Sequence, residues 1–247
     1  MGVDWALLRE GERLDDLHRN GLKIIQNPKG FCFGMDAVLL SAFAQVHKGQ
    51  RVLDLCSGNG IIPILLSAKT AGEHFTGLEI QQQAADMALR SVDFNGIGDR
   101  VSIVCGDLRD KDVFAPASFE VVTCNPPYMA KNDGKISHDQ ALAIARHEIE
   151  CGLDDVAEAA SRWLVPRGTF YMVHRPQRLA DIILAFDRHG LVPKVLRFVQ
   201  SKVGKPPNLV LIKATKGGGQ QLKVNAPLII YGDDGEYTAE VRGMYYG

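Results

Sequence analysis

A β-branched run that ends in two consecutive prolines is the feature that most constrains how this chain folds. The run Val121-Val122-Thr123-Cys124 leads directly into Asn125-Pro126-Pro127-Tyr128. Its composition is typical of a buried strand, and each proline keeps the residue before it out of the helical region. We therefore expect the Asn125 amide and the carbonyls beside it to point at one fixed place. Such acceptors suit a planar substrate with an amino group, with the Tyr128 ring stacked on it; the alternative is a purely structural turn.

Strand and helix patterns alternate over most of the chain. Predicted strands cover 51–55, 74–80, 101–105, 119–124 and 169–174, and predicted helices cover 35–44, 61–68, 82–95, 153–164 and 177–189. This alternation predicts an α/β fold with a doubly wound, mainly parallel sheet in one domain, residues 1–247. Two further strands, 192–200 and 208–214, follow each other without a helix, which predicts an antiparallel hairpin at a sheet edge.

The two ends of the chain are interpreted as additions to this domain. Residues 1–30 are an N-terminal extension, in which the charged residues 1–20 are expected to be solvated and 23–26 to form a short strand. Residues 217–247 are a C-terminal tail that begins with a short run of glycines.

The composition favours a cytoplasmic protein without metal. Hydrophobic residues make up 46% of the sequence, enough for a substantial core. The five cysteines lack CxxC or His-linked spacing, which predicts reduced core residues rather than disulfides or a metal site. We find no secretory leader and no apolar run near the ~20 residues that a membrane span needs.

A glycine turn and three acidic residues at predicted strand ends indicate a nucleotide-like cofactor. Gly58 and Gly60 fill the first two places of a G-x-G-x-x-G pattern. Asp54 precedes the turn and is placed to accept hydrogen bonds from a cationic amine. Glu79, about 20 residues on, is placed for the hydroxyls of a ribose, and Asp107 for an adenine amine. Amine, ribose and adenine together describe S-adenosylmethionine better than NAD, and the third place of the glycine pattern is Pro63.

These motifs resemble those of class I S-adenosylmethionine-dependent methyltransferases of the Asn-Pro-Pro-Tyr type. The segments 31–40 and 146–148 and the basic C-terminal hairpin are similar to bacterial enzymes that methylate the exocyclic N6 amine of the adenine 3′ of the anticodon in a valine tRNA. The resemblance covers nearly the whole chain and implies a Rossmann-like, seven-stranded sheet. It implies that S-adenosylmethionine is bound by Asp54, Cys56, Gly58, Gly60, Glu79, Ile80, Asp107, Leu108, Asn125 and Phe33. Cys56 departs from the pattern, because many members have glycine there.

The catalytic residues predicted on this basis are Asn125, Pro126 and Tyr128. The Asn125 side-chain oxygen and the Pro126 carbonyl would accept the two protons of the adenine amine and aim its lone pair at the methyl group. The base would stack on Tyr128. Phe33 would close over the cofactor or belong to the core. His147 is interpreted as structural.

A basic stretch predicts contact with RNA. From Leu191 to Ala226 the chain has seven basic residues and no acidic one, although the formal net charge of the whole is −1. We expect Lys202, Lys205 and Arg197 to meet the phosphates of a tRNA anticodon loop, together with Tyr128 at the base.

Three other functions remain open from the sequence. The same chemistry could act on a release-factor glutamine or on a base of ribosomal RNA. A non-catalytic RNA-binding module is a second alternative, and an NAD-dependent oxidoreductase is a third. The sequence leaves monomer and homodimer both open.

Overall fold

The computed structural model describes residues 7–28, 32–127 and 151–246, and a nine-stranded sheet is its central feature. Numbered along the chain, the strands are β1 (Arg13–Asp16), β2 (Lys23–Gln26), β3 (Arg51–Leu55), β4 (His74–Glu79), β5 (Val101–Cys105), β6 (Phe119–Cys124), β7 (Leu164–His174), β8 (Leu191–Gln200), β9 (Pro207–Lys216), β10 (Lys223–Val224) and β11 (Leu228–Ile229). The helices are α1 (Met35–Phe43), α2 (Ile61–Lys69), α3 (Gln82–Asn95), α4 (Leu153–Trp163), α5 (Leu179–Arg188) and α6 (Ala239–Tyr246), and a 3-10 turn at Pro176–Arg178 precedes α5.

The sheet confirms the doubly wound, mainly parallel architecture. Its order is β10-β8-β9-β7-β6-β3-β4-β5, with β11 also paired to β8. The five strands from β5 to β7 are mutually parallel, and β9 runs antiparallel to both β7 and β8. The seven expected strands are therefore present, and the short strands β10 and β11 extend the edge beyond β8.

Hydrophobic side chains cover both faces of this sheet. One cluster joins it to α1, α2, α3 and α6, and a second joins it to α4 and α5. The parallel strands are apolar almost throughout; β6, for example, buries five of its six residues. This burial on both faces is what a parallel sheet between two helical layers requires.

The N-terminal segment differs from the solvated extension that the sequence predicted. The strands β1 and β2 form an antiparallel hairpin of their own, in which Leu17 and Leu22 are buried. The Arg90 guanidinium on α3 holds this segment through two 2.7 Å bonds to the Glu12 carboxylate. The charged residues of the segment are therefore partly used in packing it against α3.

The carboxyl ends of the parallel strands gather the predicted site residues at one edge of the sheet. The glycine turn follows β3, Ile80 follows β4, Asp107 follows β5 by two residues, and Asn125 follows β6. Because β8 runs parallel to β7, the β8–β9 turn at residues 201–206 lies at this same edge. Strands are about 4.8 Å apart, so this turn is displaced roughly 10–15 Å across the sheet from β6. It also extends beyond the end of β6, because Cys124 is level with Ile212 of β9 and β9 begins at Pro207.

Candidate active site

The turn between β3 and α2 adopts left-handed backbone conformations at three positions. Cys56 and Gly58 both have φ of +56°, and Gly60, the residue before α2, has φ of +81°. A Cβ atom on Gly58 would meet nothing within 4 Å, whereas one on Gly60 would come within 3.0 Å of the Ala88 Cβ. Gly60 is therefore needed for packing against α3, while the turn beside Gly58 leaves open space for a ligand.

Asp54, at the end of β3, is a buried carboxyl group. It has no solvent exposure, and its Oδ1 atom accepts a 2.6 Å hydrogen bond from the Thr123 hydroxyl. Its buried Oδ2 atom has no hydrogen-bond partner among the residues that the structure describes. Burial raises the pKa of Asp54 to about 7, against the opposing effect of the Thr123 hydrogen bond. A cationic ligand that reached Oδ2 would favour the carboxylate form.

Glu79 is fixed at the end of β4 by two backbone groups. Its Oε2 atom accepts the Gly58 N–H at 2.7 Å, and its Oε1 atom accepts the Gln81 N–H at 2.9 Å. The neighbouring Ile80 side chain is 43% exposed, although the residue is large and apolar. A rigid carboxylate beside an open apolar surface fits a ribose next to a planar base.

Asp107 is engaged by its own neighbour. The Arg109 guanidinium forms several hydrogen bonds with the Asp107 carboxylate, the longest at 3.0 Å, and it holds the pKa of Asp107 below its usual value. Leu108 between them is buried. An adenine amine would therefore share the Asp107 carboxylate with Arg109 or displace the Arg109 guanidinium from it. The sequence pattern does not predict this competition.

Asn125 comes directly from the buried strand β6. Leu55 pairs with Cys124, so the residues after them, Cys56 and Asn125, leave two adjacent strands side by side. The buried Asn125 Oδ1 atom has no hydrogen-bond partner within the described ranges, and Pro126 is buried. An orphaned carbonyl oxygen at this position is available to a donor such as an amine.

Several predicted residues lie outside the described residues. Tyr128, the loop at 129–137 and the motif at 146–148 with His147 belong to this group, as does Phe31. Their predicted roles stay predictions.

Phe33 is tied to the glycine turn by two polar side chains that the sequence analysis did not single out. The Phe33 N–H donates to Gln26 Oε1 at 3.0 Å, and the Asn59 side-chain amide approaches the same oxygen at 3.5 Å. Asn59 also donates to the Ile25 carbonyl at 3.4 Å. Gln26 and Asn59 are both buried, so the N-terminal hairpin braces the turn and holds the half-buried Phe33 beside it.

Three cysteine thiols surround the start of the turn. Cys56 lies within hydrogen-bonding reach of both Cys124 and Cys151, and all three contact the apolar cluster under α4. The thiol contact with Cys124 is the main cause of a raised pKa at Cys56, and burial raises that of Cys124. The thiols are therefore protonated at neutral pH and act as apolar packing.

The predicted basic residues are distributed unevenly over the hairpin. Lys202 and Lys205 are exposed in the β8–β9 turn at the carboxyl edge. Arg197 instead forms a two-pronged ion pair with Glu240 of α6, at 2.7 and 2.9 Å, and its side chain is only 18% exposed. Its role in RNA binding stays a prediction.

Three of the remaining lysines of the stretch contact other parts of the folded chain. Lys213 lies over the Tyr171 ring, Lys216 donates to the Leu164 carbonyl at 2.8 Å, and Lys194 donates to the Gly219 carbonyl.

The described residues include no group of three or more His, Cys, Asp or Glu side chains placed to hold a metal ion. In the same part of the chain, no helix is long and apolar enough to cross a membrane.

The site fits S-adenosylmethionine at several independent points. The orphaned Asp54 oxygen, the open space beside Gly58, the rigid Glu79 carboxylate and the exposed Ile80 match its cationic, ribose and adenine parts in chain order. A parallel sheet that carries such a site at its carboxyl edge is the architecture of nucleotide-type cofactor binding. Fold and site together define a class I S-adenosylmethionine-dependent methyltransferase.

Comparison with known proteins gives the family. Residues 34–186 match the family model of the methyltransferase small domain, and the chain belongs to this family.

Two relatives carry a more specific name. A protein of Aeromonas hydrophila named tRNA1(Val) (adenine(37)-N6)-methyltransferase is 28% identical over 83% of this chain and 84% of its own length. The protein of the same name from Bacteroides fragilis is 29% identical over 74% of this chain and 76% of its own.

Solved structures agree on the fold. A predicted O-methyltransferase from Agrobacterium tumefaciens superposes with a TM-score of 0.70 at 24% identity, over 85% of this chain and 95% of its own. A geranyl diphosphate C-methyltransferase from Streptomyces coelicolor, solved with S-adenosyl-L-homocysteine, gives a TM-score of 0.52 at 13% identity, over 72% of this chain and 76% of its own.

Proposed function

We propose that this protein transfers a methyl group from S-adenosylmethionine to the exocyclic N6 amine of an adenine in tRNA, next to the anticodon of a valine tRNA. The observation that carries the proposal is the orphaned Asn125 Oδ1 atom, which leaves β6 beside the cofactor turn. The names of the relatives support the choice of tRNA. Such a substrate would place the enzyme in the cytoplasm.

Asn125 and Pro126 would act by holding the amine. The N6 lone pair of adenine is delocalised into the ring, so the nitrogen must turn toward a tetrahedral shape before it can attack. Donating its two protons to the Asn125 Oδ1 atom and the Pro126 carbonyl would favour that shape and aim the lone pair. Bound S-adenosylmethionine supplies an electrophilic methyl group, so positioning is the main contribution of the protein.

Asp54 and Glu79 would hold the cofactor. The buried Asp54 carboxylate would meet its cationic portion, where burial strengthens the attraction. The Glu79 carboxylate has acceptor capacity left beyond its two backbone bonds, and it would take the ribose hydroxyls. Ile80 and Leu108 would flank the adenine.

The RNA would approach along the carboxyl edge. Lys202 and Lys205 stand exposed at this edge, two to three strands across the sheet from Asn125, on a hairpin that extends beyond the end of β6. That span suits a phosphate backbone whose flipped-out base reaches the site.

The test is methyl transfer from tritiated S-adenosylmethionine into an unmodified valine tRNA transcript, followed by nucleoside analysis. We expect label in N6-methyladenosine with the wild type and a loss of about 100-fold with Asn125→Ala, the order expected for removing one preorganised hydrogen bond at a reacting group. Asn125→Asp keeps an accepting oxygen at the same place and serves as the matched variant, with a smaller loss.

Two results would contradict the proposal. Label in a purified release factor but not in tRNA would assign the same chemistry to a glutamine side chain. Equal rates for Asn125→Ala and the wild type would remove Asn125 from the reaction, whatever the substrate.

A further inference from the structure

Five aromatic side chains from the two ends of the chain form a continuous row, which we call the aromatic ladder. Tyr231, Tyr237 and Tyr245 stack with ring centroids 5.3 and 5.5 Å apart and interplanar angles of 23° and 13°. Tyr246 continues the row at 5.9 Å, and His18 meets Tyr246 edge-on at 5.5 Å. The row therefore joins the C-terminal helix α6 to the N-terminal hairpin.

A cavity of about 410 Å³ opens along the ladder. Four of the five ladder rings line it, those of His18, Tyr237, Tyr245 and Tyr246. The outer ring, Tyr246, is 57% exposed, and His18 is also exposed, so this end of the row is accessible from solvent. A volume of this size exceeds what a single nucleobase needs.

Both ends of this surface connect to the site already described. The Tyr231 N–H donates to the Ser201 carbonyl at 2.9 Å, and Ser201 is the residue before Lys202 in the β8–β9 turn. The backbone at the Tyr231 end of the ladder is therefore bonded to this turn. Phe33, the side chain held beside the glycine turn, is another wall of the cavity. The ladder thus runs between the exposed lysines and the edge of the cofactor site.

Polar side chains in the cavity suit a base more than a phosphate. The carboxylates of Asp15 and Asp16 line it; they pair with Arg13 and Lys23, and their remaining lone pairs would accept hydrogen bonds from the amino groups of a base. Lys69 lines it as well, and its ammonium donates to the Ser41 hydroxyl at 2.9 Å. The exposed lysines Lys202 and Lys205 lie outside the cavity.

We propose that the aromatic ladder and its cavity bind unstacked bases of the substrate RNA that flank the target adenine. The inference rests on the proposed function and extends it from the methylated base to its neighbours. Single-stranded RNA is recognised by bases that stack on aromatic rings while basic side chains follow the backbone. The ladder supplies the rings and the β8–β9 turn supplies the charge, on a path that begins at Phe33.

The test compares Tyr246→Ala with the wild type in binding and in methyl transfer. Fluorescence anisotropy with an unmodified valine tRNA transcript measures affinity for RNA, and calorimetry measures affinity for S-adenosylmethionine. We expect the Kd and the KM for the RNA to rise roughly five- to hundredfold, the range that one lost base-stacking contact implies. Affinity for S-adenosylmethionine should be unchanged. His18→Ala, at the same end of the ladder, should act in the same direction.

Two control variants separate stacking from a loss of structure. Tyr246→Phe keeps the ring and should bind the RNA as the wild type does. Leu184→Ala removes a similarly exposed apolar side chain, 58% exposed, from α5 on the opposite face of the sheet, and it should also have no effect.

The outcomes distinguish this inference from the proposed function. If the wild type methylates the tRNA and both Tyr246→Ala and His18→Ala keep its RNA affinity, the proposal for the aromatic ladder is wrong and the proposed function stands. If the wild type neither binds nor methylates the tRNA, the proposed function and the proposal for the ladder are both wrong. A 4-thiouridine cross-link from the anticodon loop to the peptide 237–246 would support the ladder directly, and cross-links confined to other peptides would count against it.

Discussion

The Thr123 hydroxyl donates a 2.6 Å hydrogen bond to the Asp54 carboxyl group between two neighbouring parallel strands, and neither residue has any solvent exposure. The two residues occupy paired positions of β3 and β6. This single bond does not offset the burial of the carboxyl group, so the pKa of Asp54 is raised from 3.8 to about 7. The centre of the cofactor site therefore contains an acid that changes charge close to neutral pH.

We predict that Asp54 makes the free energy of unfolding of the ligand-free protein fall, relative to that of Asp54→Asn, as the pH rises from about 4 to about 7. In that window the unfolded chain has already lost the Asp54 proton while the folded chain retains it, so raising the pH favours the unfolded state. The shift corresponds to at most about 4 kcal/mol. Burial lowers the pKa of His174 to about 4 and gives both proteins an opposite trend over much of this window, so the test is the difference between them. Urea unfolding at a series of pH values should show the wild type losing stability relative to Asp54→Asn toward pH 7. Parallel curves for the two proteins would refute the raised pKa.

We predict that Cys56→Gly is more stable than Cys56→Ala. Cys56 has φ of +56°, a conformation that costs a side-chain-bearing residue roughly 1–2 kcal/mol. Both variants lose the thiol contacts with Cys124 and Cys151, so their difference isolates the backbone strain. The larger conformational freedom of unfolded glycine reduces the gain, and about 1 kcal/mol should remain in thermal or urea unfolding. Equal stabilities would show that the turn relaxes around an alanine without strain.

Most of the sheet and the chain order of the site were predictable because each depends on local sequence. Asp54, Glu79 and Asn125 each follow an apolar run that specifies a strand, and parallel strands bring their carboxyl ends to one edge. The hairpin of β8 and β9 was predictable for the same reason, from two β-rich runs separated by Gly204 and two prolines.

The other features depend on partners that are distant in sequence. Glu12 meets Arg90 across 78 residues, and Arg197 meets Glu240 across 43. Nothing in the periodicity around either residue predicts such pairs, which is why the sequence predicts a solvated N-terminal segment and an Arg197 that meets RNA. The same holds for Gln26, whose amide oxygen accepts hydrogen bonds from two separate segments.

We predict that Arg90→Ala destabilises the protein by about 3 kcal/mol, because it leaves the Glu12 carboxylate buried without its main partner. The Glu12 and Arg90 side chains are only 7% and 14% exposed, and the guanidinium also donates to the Leu7 carbonyl at 2.6 Å. Arg9→Ala is the matched control, since Arg9 is 63% exposed in its pair with Asp86 and should contribute less than about 1 kcal/mol. Equal losses of unfolding free energy in the two variants would show that burial of the pair does not matter.

We predict that Lys202→Glu weakens binding of a valine tRNA transcript and lowers the salt dependence of that binding. Lys202 is exposed at the carboxyl edge of the sheet, where the proposed RNA path passes, and each lost phosphate contact should reduce the slope of log K against log salt by roughly 0.7–0.9. Lys205→Glu should behave alike.

Lys48→Glu is the matched control, because it makes the same change of charge at an exposed lysine before β3, at the opposite edge of the sheet. If affinity depends only on overall charge, all three variants will lose the same affinity in anisotropy titrations at several salt concentrations. A loss confined to Lys202→Glu and Lys205→Glu would instead assign the phosphate contacts to the β8–β9 turn.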